Sequence, residues 1–311
     1  MKQAFLYILI AILAVGCKNS SMQHDKENDS KPIITVTIEP LRYFTEAIAG
    51  DHFSIVSMVP KGSSPETYDP TPQQLVELAK SKAYFRIGHI GFEQVWMDKL
   101  TDNAPHLQFF DTSRGISLIY DSAHAHHHHN DYDEPYINDS LRNGEHPHDM
   151  GIEPHVWSSA YNAQIIVGNI VNALCSIDKA NENVYMERYK ELCKRIERTD
   201  SIICHKLSTP NADRAFMIYH PALSYFARDY GLHQISIEED GKEPSPAHLK
   251  NLIDACRREK VRVIFVQPEF DRCNAEIIAR QTGTKVVPIN PLSYDWEQEM
   301  LSIAEELVIK N

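Results

Sequence analysis

The sequence predicts an α/β protein of two lobes, each a parallel sheet flanked by helices, joined by one long rigid helix. Two observations support this fold class. Short β-rich runs alternate with helical patterns in both halves of the 311-residue chain, an alternation typical of parallel sheets covered by helices. Between the halves, one uninterrupted helical pattern extends from about Asn183 to Leu207.

Each half contains four predicted strands. In the first half, Gly50 ends the first helix, and Thr71 and Pro72 begin the second as its N-cap and first helical residue. The first-half strands are Ile33–Ile38, Phe53–Val59, Ala83–Ile87 and Leu107–Phe110, with helices Leu41–Ala49, Pro72–Ala79 and Phe92–Leu100. The second-half strands are Ala215–Tyr219, Gln234–Ile237, Val261–Val266 and Lys285–Ile289, with helices Leu223–Tyr230, Pro246–Glu259, Asn274–Thr282 and Trp296–Ile309.

The central helical pattern has an apolar stripe with one gap near Thr199, and neither Gly nor Pro interrupts it. The stripe consists of Tyr185, Tyr189, Leu192, Ile196, Ile203 and Leu207. A helix of this length measures about 40 Å, so two lobes mounted on it should move little, and the cleft between their strand ends is the expected ligand site. We assign residues 32–178 to the N-terminal lobe, 179–208 to the linking helix and 209–311 to the C-terminal lobe.

The N-terminus predicts export. A basic start is followed by an apolar run that is too short to span a bilayer and by small residues before Cys17. This arrangement resembles a bacterial lipobox, although Ala14 stands where that motif usually has Leu. We therefore expect residues 1–17 to be a signal peptide, Cys17 to be lipidated, and residues 18–31 to be a flexible tether. The mature protein would be a membrane-anchored lipoprotein, periplasmic or on the cell surface.

Charge and cysteine content limit the partners. The net charge of −12 argues against nucleic acid, because binding phosphates requires a basic surface. Five cysteines remain beyond Cys17, and no CxxC pair occurs among them, which argues against a thiolate zinc knuckle. We expect a monomer.

A polar segment from residue 121 to residue 151 has no hydrophobic periodicity, so we predict a long disordered loop within the N-terminal lobe. Its imidazoles suit Zn²⁺, Cu²⁺ and Ni²⁺ and would capture metal weakly through exchangeable ligand sets. An internal position and the interruption at Ala125 argue against a purification tag. The auxiliary ligands would be His124, His126, His127, His128, His129, His146 and His148.

Three further patches each present one candidate ligand from a strand end or loop. Glu66 lies in the loop that runs from Lys61 to Pro72, after the second strand. His155 lies in Glu-Pro-His-Val-Trp, just before a helix, and His220 lies in Tyr-His-Pro-Ala-Leu-Ser-Tyr-Phe, at the end of a strand. Together they come from both lobes, which a chance distribution would rarely produce.

These patches resemble the metal-binding motifs of the ZnuA/TroA-like solute-binding proteins, the zinc and manganese receptors of bacterial ABC transporters. The resemblance extends from about Ile33 to the C-terminus and includes the Glu-Pro-Ser-Pro stretch within 240–249. It implies two lobes joined by a backbone helix, no enzymatic activity, and partnership with a permease and an ATPase. The His-rich segment resembles the zinc branch rather than the manganese branch, although a manganese receptor of the same family stays open.

The sequence departs from the family pattern at three positions. Glu66 falls at the family's first ligand His, Asn290 at its acidic ligand in an Asp-Pro-Leu context, and Gln267 at a common Glu. The first two changes compensate each other, because the site keeps one negative charge. The resemblance thus implies Glu66, His155 and His220 as ligands, with Asn290 or water as the fourth, a set that suits tetrahedral Zn²⁺ and leaves Mn²⁺ open.

Two other classes of function compete with transport. Two His, one Glu and an activated water would also serve a zinc hydrolase, but no His-Glu-x-x-His helix is present and no spare general base stands beside the ligands. A surface adhesin or a zinc-storage lipoprotein would fit the anchor equally well. Neighbouring genes for an ATPase and a permease would favour transport.

Overall fold

The computed structural model describes residues 31–121, 151–239 and 241–309. The predicted signal peptide, Cys17 and nearly all of the tether lie outside these residues, as do the seven histidines between 124 and 148. Within the described part, the chain forms two four-stranded sheets, each with all of its strands parallel, and an α-helix of 26 residues. The predicted fold class is therefore confirmed, while the residue boundaries of the lobes stay predictions.

The N-terminal sheet has the strand order β2-β1-β3-β4. Its strands are β1 (Ile33–Val36), β2 (Ser54–Ser57), β3 (Ala83–Arg86) and β4 (Gln108–Asp111), and its helices are α1 (Glu39–Ala49), α2 (Pro72–Leu78) and α3 (Gly91–Asn103). Thr71 caps α2 as predicted, and a capping box with Gln74 satisfies the first backbone N–H groups. A short antiparallel pair, β5 (Tyr120–Asp121) and β6 (Gly151–Ile152), precedes α4 (Ala160–Ile177).

The C-terminal sheet has the strand order β10-β9-β7-β8. Its strands are β7 (Ala215–Ile218), β8 (His233–Ser236), β9 (Val263–Val266) and β10 (Lys285–Pro288), and its helices are α6 (Ser224–Tyr230), α7 (Pro246–Arg258), α8 (Cys273–Thr282) and α9 (Trp296–Glu306). The third strand begins two residues later than predicted, because the Val261 N–H donates to the Cys256 carbonyl and completes the turn after α7. The last helix ends before Val308, which pairs with Ala212 in a β-bridge.

The linking helix α5 (Glu182–Leu207) is about 39 Å long at 1.5 Å per residue. Its buried face includes Thr199, which is 3% exposed and fills the predicted gap in the apolar stripe. Because the short side chain of Thr199 is buried with its apolar neighbours, the stripe is continuous. Residues 179–181 form a single 3-10 turn before the helix.

Hydrogen bonds between buried aromatic residues and the backbone join the two lobes. The Trp157 indole N–H donates to the Pro291 carbonyl at 2.8 Å, and the Trp296 indole N–H donates to the Trp157 carbonyl at 2.7 Å. The Tyr225 hydroxyl donates to the Glu153 carbonyl at 2.8 Å. Such buried bonds are costly to break and therefore oppose separation of the lobes, while the small movement expected from the linking helix stays a prediction.

Helix α4 is long and apolar enough to cross a membrane, alone among the helices in the described ranges. Half of its residues are buried within the protein. The buried side chains lie at helical spacing, including Ile166, Ile170 and Leu174, and belong to the core that also contains residues of α1 and α5. This pattern is that of a core helix rather than a membrane span.

Candidate metal centre

Three of the four predicted ligands meet in one cavity between the lobes. Glu66 reaches it from the loop after β2, His155 from the segment after β6, and His220 from the end of β7. The cavity volume is about 30 Å³, which accommodates an ion or a water molecule and excludes an organic solute. The other lining residues are Ser64, Pro65, Trp157, Ala222, Gln267, Glu269, Phe270, Pro291 and Leu292.

The two imidazoles face each other across the lobe boundary. The Nε2 atoms of His155 and His220 lie 3.2 Å apart, and the ring planes meet at 70°. Two nitrogens bound to one tetrahedral Zn²⁺ at about 2.0–2.1 Å are separated by about 3.3 Å. The two rings therefore already stand at the spacing of a shared metal ion.

His155 is oriented by a buried carboxylate. Its backbone N–H donates to Glu153 Oε1 at 3.0 Å, and its Nδ1 lies 2.5 Å from the same oxygen. The other Glu153 oxygen accepts from the Ser224 hydroxyl of α6 at 2.9 Å. Because Glu153 holds Nδ1–H, the Nε2 lone pair of His155 is directed into the cavity.

The environment of His155 also changes its basicity. Burial lowers the pKa of its imidazole, but the charge and hydrogen bond of Glu153 oppose this effect, and the charges of Glu66 and Glu238 add to them. The net result is a pKa above the ordinary value. Acidic groups thus surround the imidazole on several sides, and this surrounding negative charge favours a cation in the cavity.

His220 has a matching arrangement in the other lobe. Its Nδ1 lies 2.7 Å from Glu238 Oε1, and its ring stacks on Phe270 with centroids 5.4 Å apart. The Gln267 amide donates to the His220 carbonyl at 2.6 Å and accepts from its backbone N–H at 3.4 Å. A glutamine side chain both donates and accepts, so it holds the backbone of His220 at its N–H and at its C=O, which an ionised carboxylate could not do.

Glu66 is held by the beginning of α3. Its Oε2 accepts from the Gly91 N–H, the first in that helix, at 3.1 Å. A Cβ atom on Gly91 would lie 2.5 Å from the Glu66 carbonyl oxygen and 2.9 Å from Oε2, so only glycine permits this approach. The positive end of the helix dipole stabilises the carboxylate there.

Two carboxylate oxygens at the cavity have no hydrogen-bond partner. Glu66 Oε1 and Glu269 Oε1 are both buried, and neither is hydrogen-bonded. Burial raises the pKa of Glu269, an effect that the charge of neighbouring His220 opposes. Nowhere in residues 31–121, 151–239 and 241–309 are three or more His, Cys, Asp or Glu side chains already arranged as a complete set of metal ligands.

Asn290, the fourth predicted ligand, lies outside this cavity. Its Oδ1 accepts from the Leu292 backbone N–H at 3.1 Å, and its own N–H donates to Glu299 at 2.7 Å. The residue borders two neighbouring cavities instead. The local turn through Pro291 therefore occupies the amide oxygen that was expected to face the metal.

No role at the site was predicted from the sequence for three acidic residues. Glu153 and Glu238 orient the imidazoles, and Glu269 lines the cavity. Glu153 lies two residues before the candidate ligand His155, and this short spacing could have predicted that its carboxylate orients the imidazole. Glu269 follows the end of a buried strand by three residues. Because ligands bind at the carboxyl ends of strands in parallel sheets, this position could have predicted that Glu269 lies at the cleft.

Comparison with known proteins agrees with this geometry. The model of the family described as ZnuA, zinc-uptake complex component A, periplasmic, matches residues 34–308. The chain belongs to the ZnuA family. It is 26% identical over 300 residues to the high-affinity zinc uptake system protein ZnuA of Bacillus subtilis, covering 94% of this chain and 89% of that protein.

Relatives with another metal in their names match almost as well. The manganese ABC transporter substrate-binding lipoprotein PsaA of Streptococcus mitis is 24% identical over 294 residues, covering 91% of this chain and 86% of that protein. A solved structure of a ZnuA deletion mutant with zinc bound superposes with a TM-score of 0.76 at 31% identity, covering 91% of this chain and all of that one. The predicted family is thus confirmed, and the relatives are named as metal-binding proteins of transport systems, in agreement with the prediction that the chain is a receptor and not an enzyme.

Membership in this family makes the chain a periplasmic metal-binding receptor for an ABC importer, whose partners are a permease and an ATPase. Zinc and manganese both occur among the relatives' metals. The comparisons therefore establish the class of receptor and leave its preferred metal to the chemistry of the site.

Proposed function

We propose that this chain is a lipid-anchored receptor that binds Zn²⁺ outside the cytoplasm and delivers it to an ABC importer. Glu66, His155 and His220 hold the ion in the cavity between the lobes. The observation that carries this proposal is the 3.2 Å spacing of the two Nε2 atoms, each on an imidazole whose other nitrogen is held by a carboxylate. Carboxylate–histidine pairs of this kind orient metal-ligating imidazoles.

Ligand chemistry favours zinc over manganese. Imidazole nitrogens bind Zn²⁺ more tightly than Mn²⁺, which prefers carboxylate, carbonyl and water oxygens. A small cavity with two preset nitrogens suits a four-coordinate ion better than a six-coordinate one. Zinc-named relatives include the Bacillus subtilis protein and the zinc-bound structure. The His-rich segment of the same chain adds further imidazoles, which also favour zinc.

Binding completes the site. The two imidazole nitrogens are already close together, whereas Glu66 Oε1 has no hydrogen bond and completes no group of three ligand side chains within the described part of the chain. We infer that the Glu66 carboxylate closes on the ion when the ion enters. Its second oxygen stays on the Gly91 N–H, which limits the movement to a small rotation of the carboxylate.

Two elements outside the described residues would serve delivery. Lipidated Cys17 would keep the receptor at the membrane, where its importer lies, with residues 18–31 as a tether. The histidines between 124 and 148 would capture zinc weakly and raise its local concentration. We expect the receptor to act as a monomer.

Metal titration of the purified, metal-free protein tests this function. With a competing chelator, we expect one tight zinc equivalent and a manganese affinity at least ~100-fold lower, following the metal-affinity order for imidazole ligands. The reverse order would make the protein a manganese receptor. A strain that lacks the gene should need added zinc for growth; normal growth in zinc-depleted medium would instead favour adhesion or storage.

A further inference from the structure

We propose that Glu269 is the fourth ligand of the metal, an inference that rests on the proposed function of the same cavity. The site would then consist of two imidazoles and two carboxylates. Each lobe would contribute one of each kind: Glu66 and His155 from the N-terminal lobe, and His220 and Glu269 from the C-terminal lobe.

The buried, unpartnered oxygen of Glu269 is the first observation. Oε1 is inaccessible to solvent and accepts no hydrogen bond, although the side chain borders the cavity that contains both imidazoles. Leaving a carboxylate oxygen buried without a partner is costly. Glu66 Oε1 is in the same condition at the same cavity. A cation in that cavity would be a partner for both oxygens once the two carboxylates close on it, since residues 31–121, 151–239 and 241–309 contain no complete ligand set in their present arrangement.

The backbone around Glu269 holds this residue beside His220. Strand β9 ends at Val266, and the Phe270 N–H donates to the Gln267 carbonyl at 3.2 Å, which makes a tight turn over Pro268 and Glu269. The two residues that flank this turn both contact His220: Gln267 through its side-chain amide and Phe270 through its ring. The turn and the imidazole therefore form one rigid unit.

Asn290 is the competing candidate, and its geometry is less suitable. Its amide oxygen already accepts from the Leu292 N–H, and it does not border the cavity. An amide oxygen is also a weaker zinc ligand than a carboxylate, because it carries no formal charge. Glu269 would thus provide the carboxylate ligand that the family has at the position where this chain has Asn290.

A second carboxylate changes the charge of the loaded site. With Glu66 alone, a bound Zn²⁺ would leave one net positive charge in a small cavity lined largely by apolar groups. With Glu269 as well, the charges of the ligands themselves equal that of the ion, and Glu153 and Glu238 add two negative charges just outside the ligand set. The orienting carboxylates Glu153 and Glu238 remain committed to the imidazole Nδ1 atoms.

The test compares Glu269→Gln with two control variants. Glu276→Gln changes an exposed glutamate in the next helix, where it faces Arg272, and Asn290→Ala removes the competing candidate. Zinc affinity is measured by chelator competition, and the first coordination shell by X-ray absorption at the zinc edge. Melting of the metal-free proteins reports any purely structural effect.

We expect Glu269→Gln to weaken zinc binding by ~100-fold or more, comparable with the loss of other site groups. Its zinc-edge spectrum should show a changed edge shape and changed first-shell distances, and its metal-free melting temperature should be unchanged or higher. Glu269→Asp should recover part of the affinity, whereas Glu276→Gln and Asn290→Ala should bind as the parent protein does.

Several outcomes would overturn this proposal. Parent-like affinity and an unaltered coordination shell in Glu269→Gln would remove Glu269 from the site while leaving the zinc receptor intact. A large loss in Asn290→Ala would assign the position to Asn290, and a lowered metal-free melting temperature with an unaltered shell would make Glu269 structural. If the parent protein itself bound no zinc tightly, the proposed function would fail first.

Discussion

His155 Nε2 and His220 Nε2 lie 3.2 Å apart, although the two residues are separated by 65 positions and belong to different lobes. Neither imidazole sets this distance alone. Glu153 and Ser224 connect the His155 segment to α6, and the backbone of His220 is clamped by Gln267. The packing of one lobe against the other therefore also sets the distance between the two candidate ligands.

Removing either imidazole should abolish tight zinc binding. We expect His155→Ala and His220→Ala each to lower zinc affinity by more than ~100-fold, because even the loss of an orienting partner typically costs 10–100-fold. His233→Ala is the control, since His233 is exposed and pairs with Glu259 on the surface. Calorimetric affinities that are equal in all four proteins would contradict the assignment.

The orienting carboxylates should matter without touching the ion. Glu153→Gln and Glu238→Gln should each weaken zinc binding by about 10–100-fold, because the imidazole loses its charged acceptor. Glu259→Gln removes the acceptor of a similar His–Glu pair at His233. Neither residue of this pair lines the cavity, so the zinc affinity should be unchanged. An effect of equal size in all three variants would indicate general destabilisation instead.

Gly91→Ala should displace Glu66. The new methyl group would overlap the Glu66 carbonyl oxygen, which is backbone and cannot rotate away. We expect weaker zinc binding and a loss of about 1–3 kcal/mol in the free energy of unfolding. Gly168→Ala in α4 is the control: its Cβ would meet only the Tyr189 hydroxyl at 3.7 Å, and alanine favours a helix by up to ~1 kcal/mol. Unfolding in urea and zinc titration measure both effects.

Deleting residues 124–148 should separate weak from tight zinc binding. The seven histidines of that segment would be lost, whereas Glu66, His155 and His220 would stay. Titration should show fewer weak equivalents and one tight equivalent of unchanged affinity. Loss of the tight equivalent would show that the segment takes part in the main site.

Glu93 should make stability depend on pH. It is fully buried, and burial raises its pKa to about 7 from 4.5, against the hydrogen bonds from Thr37, Ile87 and Gly88. The folded state therefore holds an extra proton between these values, so stability falls as pH rises from about 4.5 through about 7. The loss amounts to roughly 3 kcal/mol at most.

Comparing Glu93→Gln with the parent protein isolates this contribution. Urea unfolding of the metal-free proteins is measured from pH 4.5 to pH 8. We expect the advantage of the parent protein over the variant to shrink across that interval and to stay constant above it. A pH-independent difference between the two would refute the raised pKa of Glu93.

The periodic parts of the fold were predictable from sequence. Each predicted strand and helix corresponds to an observed one, with ends that differ by a few residues where turns intervene. Thr199 shows one kind of error: its hydroxyl suggested a gap in the apolar stripe, yet the residue is buried. Hydropathy describes a side chain, whereas burial of a small residue depends on the neighbours that surround it.

The candidate site was predictable only in part. Glu66, His155 and His220 border one cavity as expected. Glu66 and His220 follow strands of the two parallel sheets, whose carboxyl ends face the cleft, whereas His155 follows the short antiparallel strand β6. Asn290 was expected there through a family motif, but a local turn engages its amide oxygen. Glu269 went unrecognised, since the direction of a side chain that follows Pro268 depends on the turn geometry and not on the residue pattern.

The size of the cavity has a consequence for hydration. The cavity of about 30 Å³ holds one or two water molecules, so a cation bound there keeps only a small part of its hydration shell. Mg²⁺ gives up its water reluctantly and demands octahedral oxygen ligands. The small size of the cavity therefore disfavours Mg²⁺ through the energy of dehydration, in addition to the preference of the imidazoles for Zn²⁺.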